Sequence, residues 1–429
     1  MRFPRPRVRS PRARRSVSII NHYAPFPEKD GWSGLHLEMA RELQHSTWDV
    51  HVVAAGTSHP GGRSAMKGDR PVEEVYSRGA RSFWLRVPEY EGNGLARIRN
   101  MAVFSLRLLD PRVLRAVPRP DVVTGRVVNP AAAVTSWLMA KALGVPYVLE
   151  ISDIWPATLV ELGKVREGGI VARALGATET VLIRSADAVM SPLPHIDDYL
   201  RDRGFGSKPF HWIPNGIAVP EGTTPSAGAA PREAGEPFRF MYFGSLGHAN
   251  AVDTIIHAFA ELAQAHGPGA ATLEIVGSGP LAEALKDLAE GLGMDGRVVF
   301  TGRIPRDEVV AYAQRADALV ANMRNLDLYR YGVALNKMFD YLLARKPVIF
   351  AASAKNNIVR DADAGLTVPG DDAEAIRGAM EAMMAADEDQ RRRWAENGAA
   401  HVLENYTYKA SATRFERMLD EVSEAHHGR

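Results

Sequence analysis

An alternation of short strands and helices runs through this chain twice, and it limits the possible folds more than any other feature. In the first run, Ser16–Asn21 (SVSIIN) reads as a buried strand. Leu35–His45 reads as a helix with Leu35, Met39 and Leu43 on one face. Strand-like Asp49–Ala54, Asp121–Thr124, Pro146–Ile151, Ala188–Ser191 and His211–Pro214 follow, with helical patterns across Ala131–Leu143 and Ile196–Arg203. The second run starts at Phe238–Phe243 (FRFMYF). It continues through strands at Thr272–Val276, Val298–Thr301, Ala318–Ala321 and Pro347–Phe350. Between them lie helices near Val252–Gln264, Leu281–Leu292, Arg306–Gln314 and Leu335–Leu343, and the tail from Asp372 to His426 is helical throughout. Strands that alternate with helices imply parallel sheets with helices on both faces.

The two runs divide the chain. Residues 1–15 form a basic leader and 16–215 a first Rossmann-like domain. The stretch 216–237, dense in Gly, Pro, Ser and Thr, reads as a linker. Residues 238–405 make a second Rossmann-like domain, and 406–429 a last helix that crosses back to the first. A length of 429 residues suits two cores better than one. Two such domains leave a cleft at the carboxyl ends of their strands, where ligands of this architecture bind.

Charge and cysteine usage exclude several classes. The net charge of +1 argues against a nucleic-acid partner, and the absence of cysteine removes disulfides and thiolate sites. A cytoplasmic setting is compatible with both. No apolar run is long enough to span a bilayer; the best, Val127–Ala140, stops at Lys141. The leader MRFPRPRVRSPRARR carries seven arginines and no acid, and has no apolar core behind it, unlike a secretory signal. Two readings stand: a disordered or mis-started leader, or an arm attracted to an anionic membrane surface.

The strand-to-helix loops carry the candidate chemistry. VGSGP places Gly277 and Gly279 between a strand and a helix, as a tight turn or as a phosphate contact. FGSLGHANAVD offers Gly244, Ser245 and Asn250 under the same two readings. In YGVALNKMFDYLLARKPVIF, Lys337 and Asp340 stand three apart on one helix face, with Gly332 near the helix start. They form either a solvated intrahelical ion pair, or a cation for a leaving diphosphate beside a carboxylate for ribose hydroxyls. Arg324, Arg330 and Tyr331 crowd the same entrance. Arg303 joins the donor-side set. In the first half, LEISDIWP sends Asp153 off a strand end, to cap the next helix or to bind sugar hydroxyls and accept the acceptor's proton. HYAPFPEKDGWSG supplies Gly31 and Gly34 for close backbone approach and Trp32 as a sugar platform, while His22 reads as packing. Residues 57–100 appear polar and irregular, with Trp84, Tyr90 and Tyr76 as platforms or packing. No metal-ligand spacing or GxSxG elbow is present.

Taken in order, GVPYVLEISDIWP, WIPNGI, FGSLGHANAVD, IVGSGP, VVFTGRIPRDEV, GVALNKMFDYLLARKPVI and NNIVRDADAGLTVPGDD resemble the retaining glycosyltransferases of family 4. The likeness runs from Ser16 to about Arg417 and looks closest to the branch that transfers N-acetyl-fucosamine or related sugars. It implies the GT-B fold, two facing Rossmann-like domains with parallel sheets. It also implies a nucleotide-sugar donor, a UDP-sugar first, and a glycan or polyprenyl-diphosphate-linked acceptor in bacterial cell-surface polysaccharide synthesis. No cofactor and no obligatory metal are expected. Enzymes of this kind work in the cytoplasm or peripherally on the inner membrane face.

Several positions depart from the family pattern. Asp340 stands at a usual glutamate and Gly332 at a second one, so that backbone N–H groups of Val333, Ala334 and Leu335 would serve instead. Ser245 and Asn250 replace an arginine and a lysine, which leaves Lys337 as the diphosphate cation. Ser152 occupies the place of a first-domain histidine, beside Asp153. A sugar-nucleotide epimerase of the same shape and an inactive GT-B scaffold are the alternatives.

Overall fold

Residues 14–26, 33–59, 61–92, 94–161, 163–219, 235–267 and 269–428 are described by a computed structural model. The chain forms two compact units. The first comprises residues up to Gly216 together with Tyr408 onward, and the second comprises Ile217–Thr407.

The first unit is built on one sheet of eight strands. These are β1 (Arg15–Ile20), β2 (Trp48–Ala55), β3 (Val72–Ser77), β4 (Ala80–Leu85), β5 (Val122–Arg126), β6 (Tyr147–Glu150), β7 (Ala188–Ser191) and β8 (Phe210–Trp212). Their order is β3-β4-β2-β1-β5-β6-β7-β8, parallel except for the antiparallel β3–β4 pair. Alternate residues of β1 face opposite sides. Val17 and Ile19 pack with Trp48 and Val52 against Leu37 and against Phe415, Met418 and Leu419 of the helix Tyr408–His427. The last helix therefore belongs to the first unit. Arg14 and Arg15 are part of this fold rather than of a leader: Arg15 opens β1 and pairs with Asp420, which also accepts a hydrogen bond from Trp48 Nε1 at 3.0 Å. Residues 1–13 lie outside the described residues.

The region expected to be irregular contains a β-hairpin. Arg78 and Gly79, both with positive φ, form the two-residue turn between Ser77 and Ala80. That geometry suits a type I′ hairpin turn. Trp84 is buried at 1% exposure and stacks on Phe26, and Tyr90 is buried with its hydroxyl 2.7 Å from His59 Nδ1. Both are packing residues; of the three aromatics only Tyr76 is exposed.

The second unit has six parallel strands: β9 (Phe238–Phe243), β10 (Ala271–Val276), β11 (Val298–Gly302), β12 (Ala318–Asn322), β13 (Val348–Ala351) and β14 (Gly365–Val368). Their order is β11-β10-β9-β12-β13-β14, so the direction of winding reverses between β9 and β12. That reversal is the switch point at which open α/β sheets bind ligands. Both faces of β9 are buried. Phe238, Phe240 and Tyr242 pack toward the helix Val252–His266, while Met241 and Phe243 pack toward the helix Asn336–Leu343. Each such side chain contributes about 1.5–3 kcal/mol of burial energy. Tyr341 ties that second helix to the sheet. Its hydroxyl receives the Phe243 N–H at 2.9 Å and lies 2.9 Å from the Phe243 carbonyl and 3.1 Å from the Val320 carbonyl. Among the described residues no helix is long and apolar enough to cross a membrane.

Candidate active site

In the second unit, the loops after β9 and β10 stack against each other backbone to backbone. Gly244 N–H reaches the Val276 carbonyl at 2.9 Å, Leu246 N–H the Ser278 carbonyl at 3.0 Å, and Gly277 N–H the Gly302 carbonyl at 2.8 Å. A Cβ at Gly277 would stand 1.8 Å from the Gly244 carbonyl oxygen, and one at Gly279 would stand 2.4 Å from that of Leu246. The glycines of VGSGP are therefore required by the neighbouring loop.

Lys337 comes to this paired loop from the helix Asn336–Leu343. Its ammonium donates to Asn250 Oδ1 at 2.7 Å and lies 5.0 Å from the centre of the Tyr242 ring. Asn250 in turn donates through Nδ2 to the Ser245 carbonyl at 2.9 Å, and the Tyr242 hydroxyl donates to the same oxygen at 2.8 Å. Its stem runs beside Gly244, where a Cβ would meet Lys337 Cδ at 3.4 Å. Burial of the ammonium draws its pKa down to about 8. The result is one cation, half-buried and oriented, at the carboxyl end of the central strand.

Lys337 and Asp340 do not pair with each other. Asp340 is buried and accepts from Arg306 Nη1 at 2.5 Å. Burial pushes its carboxyl up and Arg306 opposes that shift. Any ribose hydroxyl bound by Asp340 would have to compete with Arg306. Gly332, with φ 96°, closes the 3₁₀ turn Asp327–Tyr331, and the helix begins four residues later at Asn336. Val333 N–H is already taken by Asn356 Oδ1 at 2.8 Å, so of the three backbone donors expected, only those of Ala334 and Leu335 lack a hydrogen bond among the described residues. Arg324 is not at the entrance in a usable form: Asp253 and Asp371 each hold it at 2.6 Å. Arg330 lies against the Tyr331 ring and donates to its hydroxyl at 2.7 Å. Arg303 is exposed, immediately after β11.

The first unit gathers a second group at the ends of β1, β5 and β6. Glu150 is buried, with His36 Nε2 at 2.9 Å from one oxygen and Arg126 Nε at 3.3 Å from the other. Burial alone would raise the Glu150 carboxyl; His36 and Arg126 outweigh it and hold the carboxyl low. Arg126 Nε also donates to Ser152 Oγ at 3.0 Å. Asp153 is exposed beside this group. The helix Ala157–Glu161 has its first turn closed by Thr158 N–H on the Ile154 carbonyl at 2.8 Å. Gly34 is the N-cap residue of the helix Leu35–Glu42, two positions before His36. Gly31 and Trp32 lie outside the described residues. His22 is buried between Asn100 Oδ1 and Asn129 Nδ2, each at 2.7 Å, and burial lowers its pKa to about 4. It is a neutral packing residue. The Glu150 network escapes a motif search, yet a glutamate inside the apolar run YVLEI signals it, because a buried carboxylate must find partners. Arg306 carries no comparable signal.

Among the described residues, only His195, Asp197 and Asp198 bring three ligand atoms close enough for a metal ion, within 4.8 Å of one another. Arg201 already bridges both carboxylates, at 2.6 Å and 3.5 Å.

Two α/β units, each on a mainly parallel sheet, fit the GT-B class of fold. The model for glycosyl transferases group 1 matches residues 237–386, and that for the glycosyl transferase 4-like domain matches 36–216. Together they cover more than three quarters of the chain, which belongs to these glycosyltransferases. It is 32% identical over 183 residues to the GDP-mannose-dependent alpha-(1-6)-phosphatidylinositol monomannoside mannosyltransferase of Mycolicibacterium smegmatis, covering 40% of this chain and 45% of that protein. The chain spans about half the length of the curated relatives it matches first. Sucrose-phosphate synthase from Thermosynechococcus elongatus superposes with a TM-score of 0.68 at 18% identity, over 96% of this chain and 100% of that one. HepE of Anabaena, solved with UDP and glucose, gives 0.59 at 12%, over 94% and 99%. At such identities these structures speak for the fold alone.

Proposed function

We propose that this protein is a retaining transferase. It moves a hexose-type sugar from a nucleotide diphosphate donor to a glycan or lipid-linked acceptor in cell-surface polysaccharide synthesis. The observation that carries the reading is Lys337. Its ammonium is fixed by Asn250 and Tyr242 against the glycine turn after β9. A diphosphate leaving group gains negative charge as the bond to the sugar breaks, and an oriented donor in a partly dehydrated site stabilises that charge most in the transition state. The amides of Ala334 and Leu335, which make no hydrogen bond among the described residues, would add backbone donors. In the proposed step, the acceptor oxygen bonds to the anomeric carbon on the face the diphosphate leaves. The carbon–oxygen bond to diphosphate breaks, and a departing phosphate oxygen takes the acceptor's proton. Exposed Asp153 is the acceptor-side carboxylate that would orient sugar hydroxyls. The mannosyltransferase relative is named for a GDP-sugar and the family resemblance implies a UDP-sugar, so both nucleotides are candidates; a UDP-sugar is the first choice.

A panel of UDP- and GDP-sugars, each incubated with and without lipid-linked glycan acceptors, tests the proposal. Release of nucleoside diphosphate that depends on acceptor is expected. Isomerised donor without release would replace the reading with an epimerase, and no reaction with any pair would leave a scaffold protein.

The depressed pKa of Lys337 gives a second expectation. Bound phosphate favours the ammonium form, so binding takes up a proton at pH values above about 8. UDP affinity measured by calorimetry should therefore hold steady from pH 6.5 to 7.5 and weaken as pH rises. By pH 9 the loss should be up to about tenfold. Lys337→Gln should bind more weakly at every pH and lose that dependence. A parent protein with a flat profile from pH 7 to 9.5 would contradict the contact.

A further inference from the structure

Three helices of the first unit carry apolar side chains on the side that faces solvent. They are Leu95–Arg107, Pro130–Leu143 and Ile170–Ser185, and they pack side by side over one face of the sheet. Of the eight large apolar side chains exposed among the described residues of the first unit, seven lie on these helices. Helical spacing collects them into stripes. On the first helix Leu95, Ile98 and Leu106 share one line with exposed Ala102, and Phe104 packs inward; Leu95 is 82% and Leu106 70% exposed. On the second, Leu138 lies with exposed Ala131 and Ala142. On the third, Ile170, 88% exposed, and Val171 open a stripe that Ala174, Ala177 and Val181 continue. Single apolar residues scattered over a surface are ordinary, but stripes on three adjacent helices mark an interaction surface.

The charge on the same helices is almost entirely of one sign. They hold six basic residues and one acid. The acid is Glu179, buried on the inner side, where it accepts from the Tyr199 hydroxyl at 2.7 Å and lies 3.3 Å from Arg203. Arg99, Lys141, Arg173 and Arg184 are exposed and make no ion pair among the described residues. Each stands three or four residues after an exposed aliphatic, namely Leu95, Leu138, Ile170 and Val181, so every stripe has a cation on it. Glu167, just ahead of the third helix, is outnumbered by exposed Lys164 and Arg166. The face ends at the helix Ile196–Asp202, which packs on the third helix through Tyr199 and carries three aspartates. A second copy of this chain would bring like charges together. A nucleic acid would match the cations and leave the aliphatic stripes uncovered. An anionic bilayer surface suits both: aliphatic side chains enter the headgroup boundary while Arg and Lys meet the phosphates.

We propose that the outer face of these three helices docks on an anionic lipid membrane, with Leu95, Leu106 and Ile170 at the headgroup boundary and Arg99, Lys141 and Arg173 on lipid phosphates. The contact belongs to the folded unit, not to the basic leader, and is independent of sugar transfer.

Co-sedimentation of the full chain with vesicles tests it, comparing phosphatidylcholine alone with phosphatidylcholine and phosphatidylglycerol in equal parts. Binding to the mixed vesicles is expected, and binding to phosphatidylcholine alone should be weaker by roughly tenfold or more. Arg99→Gln, Lys141→Gln and Arg173→Gln combined should weaken binding to the mixed vesicles about a hundredfold. Leu106→Gln with Ile170→Gln should weaken it roughly tenfold or more. Both variants should melt as the parent does, because the replaced side chains are exposed. A chain lacking residues 1–13 should still bind the mixed vesicles. Absence of binding to either vesicle overturns the proposal, as does parental binding by either folded variant. Equal binding to both vesicles overturns the anionic assignment. Loss of binding on removal of residues 1–13 overturns it in favour of the leader. A concentration-dependent rise in mass without vesicles, abolished by Leu106→Gln with Ile170→Gln, overturns it in favour of a second copy.

Discussion

Lys337→Ala should lower turnover about 10²–10³-fold while the protein keeps its fold, because removal of one oriented donor to a developing anion has that cost. The effect should fall on kcat more than on KM. Charge on the diphosphate grows along the reaction, and an interaction that strengthens in the transition state appears in kcat. Stability should change little. The residue is half-buried, its ammonium already sits at a depressed pKa, and its contact with the Tyr242 ring is worth about 0.5–2 kcal/mol. Asn250 loses one partner but keeps its bond to the Ser245 carbonyl. Lys337→Arg should not restore activity, since a planar, longer guanidinium cannot occupy the slot beside Gly244. Steady-state kinetics beside a thermal melt provide the check. Turnover within a few-fold of the parent, in a folded variant, would remove Lys337 from the chemistry.

The sequence disclosed strands better than sites. Phe238–Phe243 and Ala188–Ser191 are visible because strands buried on both faces are nearly continuous apolar runs. The β3–β4 hairpin was hidden. Its turn is Arg78-Gly79, not the Asn-Gly or Asp-Gly that announces a type I′ turn, and Glu73 and Glu74 blur the alternation of β3. At the loops after β9 and β10 the requirement for glycine was legible, but the atom that imposes it was not. Spacing cannot show that Gly277 faces the carbonyl of Gly244, thirty-three residues earlier. Lys337 and Asp340 looked like a pair because they are helical neighbours. Their partners, Asn250 and Arg306, come from loops after other strands, and only the sheet order brings those loops together.

Gly277→Ala should be among the most disruptive small changes in the second unit. Gly277 has φ 148°, a conformation that side-chain-bearing residues rarely adopt, and its added methyl would stand 1.8 Å from the Gly244 carbonyl oxygen. The methyl is fixed directly to Cα and the atom it meets is backbone, so no rotamer change relieves the clash. The loops must separate by more than an ångström, which breaks the Gly244 N–H to Val276 bond and the Leu246 N–H to Ser278 bond. Strain plus two lost hydrogen bonds amounts to roughly 3 kcal/mol or more. For a unit of this size that lowers the melting temperature by about 6–12 °C. The Gly244–Ser245 turn shifts with it, and the Asn250 seat for Lys337 moves away, so UDP affinity should fall even in the fraction that folds. Gly378→Ala is the matched comparison. Gly378 is exposed in the helix Ala373–Ala385 with nothing within 4 Å of an added Cβ, and the change should stabilise by about 0.5–1 kcal/mol. A Gly277→Ala variant that melts and binds UDP as the parent does would show that the stacking of these two loops does not hold the proposed donor site in shape.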